Sequence, residues 1–243
     1  MVHGGSLAKK NGRAILKNPV VRHGLHTLVT MEPTRILAIR HGETDWNVAS
    51  RIQGQIDIEL NAQGRWQAQQ VAKALADEDI HAIYASDLSR ALVTAQHIAS
   101  HHGLTVQTVK PLRERHYGFF ESQTWDEIQQ SHPQDALLWR ERDPHWTPRD
   151  GGESLVMLHE RVSHVLHDIA SQHRGQHIAL VSHGGVLDIL YRMATGQGLQ
   201  AERSWGLRNT AINRLLWTPQ GLQLVGWADE RHLDAGAREE SST

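Results

Sequence analysis

Apolar residues fall along this chain in two patterns, short unbroken runs and longer stretches repeated at helical spacing. The first run, Ile36-Leu37-Ala38-Ile39, stops at Arg40-His41-Gly42, which predicts a buried strand ending in a loop. His81–Ala85 and His177–Val181 predict two more such strands, and Thr105–Val109 a weaker one. Asn61 is placed to cap a helix through about Ala76, with Ala68, Val71, Ala72 and Leu75 on one face. A second helix follows the Ser86–Arg90 segment to about Ser100, and Gly103 is its stop signal. Ser154 caps a long helix that carries Leu155, Leu158, Val162, Val165, Leu166 and Ile169 on one face. Another helix runs from Gly185 to Thr195, and Ala211–Trp217 with Leu222–Trp227 predicts a terminal hairpin.

Strands that alternate with helices predict one α/β domain, residues 34–233, with a mostly parallel sheet and helices on both faces. Residues 116–150, with Trp125, Trp139, Trp146 and three prolines, break the pattern and read as a helical or loop insertion over a site. Residues 1–33 read as a basic extension, disordered or not native, because residues 1–31 hold five basic side chains and no acidic one. Residues 234–243 read as a loose tail.

Composition narrows the chemistry. The chain has 243 residues and no cysteine, which excludes disulfides, thiolate catalysis and cysteine zinc sites. That suits a cytoplasmic protein. No apolar run approaches a membrane span, and a net charge of −2 gives no nucleic-acid footprint. The 18 histidines mean little until their positions are known.

Those positions matter, because open α/β sheets bind ligands at the carboxyl ends of their strands. The first strand ends in Arg40-His41-Gly42, the second leads to Arg90, and the last ends in His183-Gly184-Gly185. The connection after Val109 reaches Arg113-Glu114-Arg115. Two histidines, two arginines and a glutamate are therefore expected at one edge. Arg40, Arg90 and a protonated His183 suit a phosphomonoester dianion. Glycines 42, 184 and 185 are expected to let backbone amides approach it. His41 offers a nucleophilic ring nitrogen, its pKa depressed by the flanking cations and its other nitrogen fixed by an acceptor. Glu114 is the candidate to protonate the leaving oxygen and later to activate water.

Other motifs carry less. His159 and His164 stand at i and i+5, not the i and i+4 that a zincin helix needs. Asp77-Glu78-Asp79 reads as a solvated helix end, and His101-His102 as a helix terminus where cations are favourable. No metal site is expected. Trp46, Trp125, Trp139 and Trp146 are candidates either to wall a pocket or to fill a core.

At these residues the chain resembles the histidine phosphatase, or phosphoglycerate mutase-like, superfamily. The resembling blocks are LAIRHGETDWN (37–47), RIQGQIDIELNAQGRWQA (51–68), YASDLSRALVTAQ (84–96), LRERHYGFFES (112–122), GGESL (151–155) and LVSHGG (180–185). The resemblance implies a phosphoglycerate mutase-like fold. It makes His41 the phosphohistidine, completes the phosphate pocket with Arg40, Arg90 and His183, and makes Glu114 the proton donor. It also implies that Asn47, Gln53, Gly54 and the backbone at Gly184 touch the phosphoryl group or the substrate.

The superfamily holds both mutases and phosphatases. ERHYG resembles the mutases, but the stretch from Glu114 to His183 is shorter than theirs, and Arg140, Arg142 and Arg149 do not match the spacing of their basic residues. RIQGQ is closer to the compact, broad-specificity phosphatases. The expectation is thus a metal-independent phosphatase of small phosphorylated substrates with no cofactor. A mutase primed by 2,3-bisphosphoglycerate is the alternative. No membrane or nucleic-acid partner is expected, and oligomeric state stays open, a homodimer included.

Overall fold

A computed structural model describes residues 32–234; the expectations for residues 1–31 and 235–243 lie outside the described residues. In chain order the elements are β1 (Thr34–Arg40), α1 (Asp45–Val48), α2 (Ala62–Ala74), β2 (Ala82–Ala85), α3 (Ser89–His102), β3 (Val106–Thr108), α4 (Trp125–Ser131), α5 (Pro133–Glu141), α6 (Leu155–Ser171), β4 (His177–Ser182), α7 (Gly184–Thr195), β5 (Ile212–Thr218) and β6 (Gly221–Asp229). The strands form one sheet in the order β3-β2-β4-β1-β5-β6. The β1–β4, β2–β4 and β2–β3 pairs are parallel; β5 runs antiparallel to β1 and to β6. The α/β class is as the pattern predicts.

Side-chain alternation along β1 divides the core. Ile36 and Ala38 face a cluster with Leu158, Val162 and Leu166 of α6 and Val186 and Ile189 of α7. Leu37 and Ile39 face the opposite cluster, with Val71 and Ala72 of α2 and Ala91, Ala95 and Ile98 of α3. Burying each large aliphatic side chain contributes roughly 1.5–3 kcal/mol.

The predicted caps hold. The Asn61 side chain accepts from Gly64 N at 2.8 Å, and the Ser154 hydroxyl accepts from Met157 N at 3.1 Å. Gly103 closes α3 at φ 63°, a left-handed conformation that suits glycine. The 116–150 insertion folds as α4 and α5 around an aromatic cluster of Phe120, Trp125, Trp139 and Trp146.

Three bland readings sharpen. Glu78 is more than a solvated helix end: it meets Arg214 at 3.2 Å and His177 at 3.7 Å. Of the zincin-like pair, His164 is exposed and His159 half-buried on α6. His101 and His102 do end α3. Among the described residues, no helix is long and apolar enough to cross a membrane.

Candidate active site

The sheet register brings the two histidines together. Arg40 pairs with Ser182 across the parallel β1–β4 ladder, so His41 and His183 leave the sheet side by side. His41 N donates to Ser182 O at 2.9 Å. The two ring centroids lie 5.1 Å apart, close to the ~4.8 Å spacing of neighbouring strands. His183 is also the N-terminal flanking residue of α7, whose positive dipole end faces the same edge.

His41 is buried, and its Nδ1 lies 2.7 Å from Gly42 O. A carbonyl only accepts, so Nδ1 carries the hydrogen and Nε2 keeps its lone pair. Burial foremost, then Arg90 and Arg40, holds the His41 pKa well below the ordinary imidazole range. The same order of causes applies to His183, with burial first, then Arg90, His41 and Arg40. The expectation of a protonated His183 therefore does not hold for the protein by itself; only an arriving anion would reverse it.

Both arginines are held by carbonyl oxygens. Arg90 donates from Nη1 to Ile56 O and from Nη2 to Gly54 O, each at 2.8 Å. Arg40 Nη1 donates to Leu207 O. Burial lowers the Arg90 pKa to about 10, which leaves it charged at neutral pH. The Nε of Arg40, the Nε of Arg90, both ring nitrogens of His183 and Gln53 Oε1 are buried without a hydrogen-bond partner. Each such atom costs roughly 1–3 kcal/mol if nothing pairs it.

His183 lies fully buried beside His41, and Arg40, His41, Asn47, Gln53, Gly54, Arg90 and Glu114 line a pocket of about 170 Å³ with Tyr117 and Trp139 on its wall. It adjoins a chamber of about 660 Å³, which Arg40 and Glu114 also line, as do Gly184, Tyr117 and Trp139. All nine residues expected at the site lie at this edge of the sheet. Of the four tryptophans, Trp139 walls the pocket while Trp125 and Trp146 pack in the aromatic cluster.

Glu114 is clamped at the mouth. Its carboxylate accepts from Arg115 N at 2.7 Å and from Gly185 N at 3.0 Å. This corrects the glycine expectation. Gly185 gives its amide to Glu114, and a Cβ there would stand 2.3 Å from Glu114 Oε1. Gly42 N donates to Thr94 Oγ1 at 3.1 Å, and a Cβ on Gly42 would meet Gly64 O at 2.4 Å. These two glycines serve packing and the acid's position, not the anion.

Of the three arginines weighed as stand-ins for mutase residues, Arg142 lines the chamber and meets Asp188 at 3.0 Å. Arg149 pairs with Asp135 and Arg140 lies over Trp125. Sequence reasoning missed Asn209, whose Nδ2 donates to His41 O at 2.8 Å. Its signal was its place just before β5. An antiparallel neighbour of β1 begins where β1 ends, so that loop reaches the same edge. Among the described residues, no group of three or more metal-ligating side chains is placed to hold an ion.

Comparisons with known proteins agree with this arrangement. The sequence model of the histidine phosphatase superfamily (branch 1) matches residues 36–230. The chain is 39% identical over 207 residues to phosphoglycerate mutase-like protein 4 of Arabidopsis thaliana, spanning 82% of this chain and 86% of that one. It is 36% identical over 209 residues to a metal-independent phosphoserine phosphatase of the same plant, spanning 85% and 86%. A mycobacterial glucosyl-3-phosphoglycerate phosphatase solved with VO3 superposes at TM-score 0.72 with 32% identity, covering 81% of this chain and 99% of that one. The matched residues run from β1 through β6 and contain the whole pocket, so the chain belongs to the histidine phosphatase superfamily.

Proposed function

We propose that this enzyme hydrolyses small phosphomonoesters through a phosphohistidine on His41 and needs no metal ion. The observation that carries the reading is the cluster of buried, unpartnered donors of Arg40, Arg90 and His183 around the open Nε2 of His41. A tetrahedral dianion is the ligand that pairs them together. Two fixed guanidinium charges supply the neutralisation that a metal would otherwise bring.

In the first step His41 Nε2 forms a bond to phosphorus as the ester P–O bond breaks, and the leaving oxygen takes from Glu114 the proton that the arriving phosphomonoester monoanion hands to that carboxylate. Arg40, Arg90 and His183 hold the transferring phosphoryl group in line and balance the charge spread over its oxygens. In the second step water attacks phosphorus, Glu114 accepts its proton, and the P–N bond breaks. Gly42 O holds the imidazole in one tautomer throughout. Asn209, bonded to His41 O, fixes the backbone that carries the nucleophile. Gln53 and Asn47 complete the cradle.

A phosphatase name stands on two of the three relatives above, and the unmatched basic spacing of the insertion also favours water as acceptor. The mutase reading draws on ERHYG and on the mutase-like relative, and would pass the phosphoryl group to a second hydroxyl. The test is phosphate release in EDTA from a panel of esters, alongside an assay primed with 2,3-bisphosphoglycerate. Release without priming, with acid-labile phosphate trapped on His41, is the expected result. Primed isomerisation without release would replace the hydrolase by the mutase. Glu114→Gln should lower kcat about 10²–10⁴-fold while phosphate still binds.

A further inference from the structure

The carboxylates that meet arginine in and around the site do so in two ways. Asp87 takes Arg113 on both oxygens, at 2.7 and 2.6 Å, and Glu153 takes Arg161 on both, at 2.8 and 2.7 Å. Asp188 of α7 takes two arginines on one oxygen. Its Oδ2 accepts from Arg142 Nη2 and from Arg192 Nε, each at 3.0 Å, while its buried Oδ1 and the Nη2 of Arg192 are both without a hydrogen-bond partner. Asp188 lines the large chamber, one turn along α7 from the Gly184-Gly185 pair that faces the catalytic carboxylate. Arg142 is committed to holding this arrangement. It sits at φ 54°, unusual for a side-chain-bearing residue, and its Nε also donates to Leu199 O at 3.1 Å.

We propose that Asp188 is a specificity-determining residue, its Oδ1 accepting a hydrogen bond from a hydroxyl or ammonium donor on the leaving group. This rests on the phosphohydrolase reading above. The substrate class that follows is a phosphomonoester whose leaving group carries such a donor. An ionised carboxylate can only accept, so the partner must donate, and an ester that brings the donor gains a hydrogen bond that one lacking it does not. Wholly apolar leaving groups gain nothing there and fall behind by that difference.

The test compares kcat/KM within matched pairs that differ by one donor. Suitable pairs are O-phosphoserine against 3-phosphonooxypropionate, and 2-hydroxypropyl phosphate against propyl phosphate. The wild type should favour the donor-bearing member of at least one pair by about tenfold or more. Asp188→Asn should shrink that ratio toward one, whereas Asp188→Glu, which keeps an ionised acceptor on the same turn of α7, should retain part of it. Equal rates within both pairs for the wild type would overturn the proposal even if the variants failed to fold. So would an equal loss on both members in Asp188→Asn, which would make Asp188 only a bracket for Arg142 and Arg192. Failure of the hydrolase reading looks different: no ester would release phosphate and His41 would carry no phosphoryl group.

Discussion

Two arginines outside the phosphate pocket, Arg113 and Arg161, and the two that flank His41, Arg40 and Arg90, are held by different acceptors. Arg113 and Arg161 meet Asp87 and Glu153 fork to fork, and their charge is cancelled where it stands. Arg161 also donates to Pro111 O and Arg113 O, tying α6 to the segment that carries Glu114. Arg40 and Arg90 are aimed by Leu207 O, Ile56 O and Gly54 O instead. A carbonyl fixes the direction of a guanidinium without neutralising it. The first arrangement builds structure, and the second keeps positive charge available for a ligand. The acceptor, not the residue type, separates them.

Several substitutions would break or sharpen this contrast. His41→Ala should have the largest effect, a loss of about 10⁴-fold or more in kcat/KM, because no other group in the pocket offers a nucleophile at its position. Steady-state hydrolysis reads it, and near-normal turnover would refute the phosphohistidine. Arg90→Gln should lower kcat/KM about 10²–10³-fold, as loss of a transition-state donor does. Its melting temperature should hold or rise, since a buried charge that makes no direct ion pair is removed. A fall in stability as deep as that in activity would contradict the distinction drawn here.

Arg161→Met should do the reverse. It should destabilise the fold by about 2 kcal/mol in urea titration, because Glu153 loses its partner while largely buried. Any change in activity should follow the position of Glu114.

The histidines make the pocket's electrostatics visible in stability. Unfolded histidines titrate near ~6.5, whereas burial keeps His41 and His183 neutral well below that. Between those limits the unfolded chain binds more protons, so stability should fall as pH drops below about 6.5 and show no slope from these groups above it. Vanadate, by pairing His183 with an anion, should flatten the decline. A melting curve that is level from pH 7 to 5 without ligand would remove the buried neutral pair. Arg113→Gln should show the smallest effect, under about 1 kcal/mol, since its ion pair is part-exposed.

Much of this protein was legible in its sequence. Apolar runs fixed the positions of β1, β2 and β4 because buried parallel strands have few other ways to look. Asn61, Gly103 and Ser154 marked helix ends because an unpaired amide or a left-handed turn demands those residue types. His41 and His183 followed from where the strands stop, while the roles of Arg90 and Glu114 rested on the family resemblance. What the chain could not reveal was pairing across space. Gly42 and Gly185 look like anion-binding glycines until Gly64 O and Glu114 are seen to fill the room beside them. His183 looks cationic until its burial and its neighbours Arg90 and Arg40 are known. Asn209 and Asp188 sit in unremarkable stretches and acquire meaning from the antiparallel β5 and from two arginines that share one oxygen. Residue types and their spacing set which chemistry was available; burial, charge and hydrogen-bond partners are properties of the folded neighbourhood, and only tertiary structure assigns them.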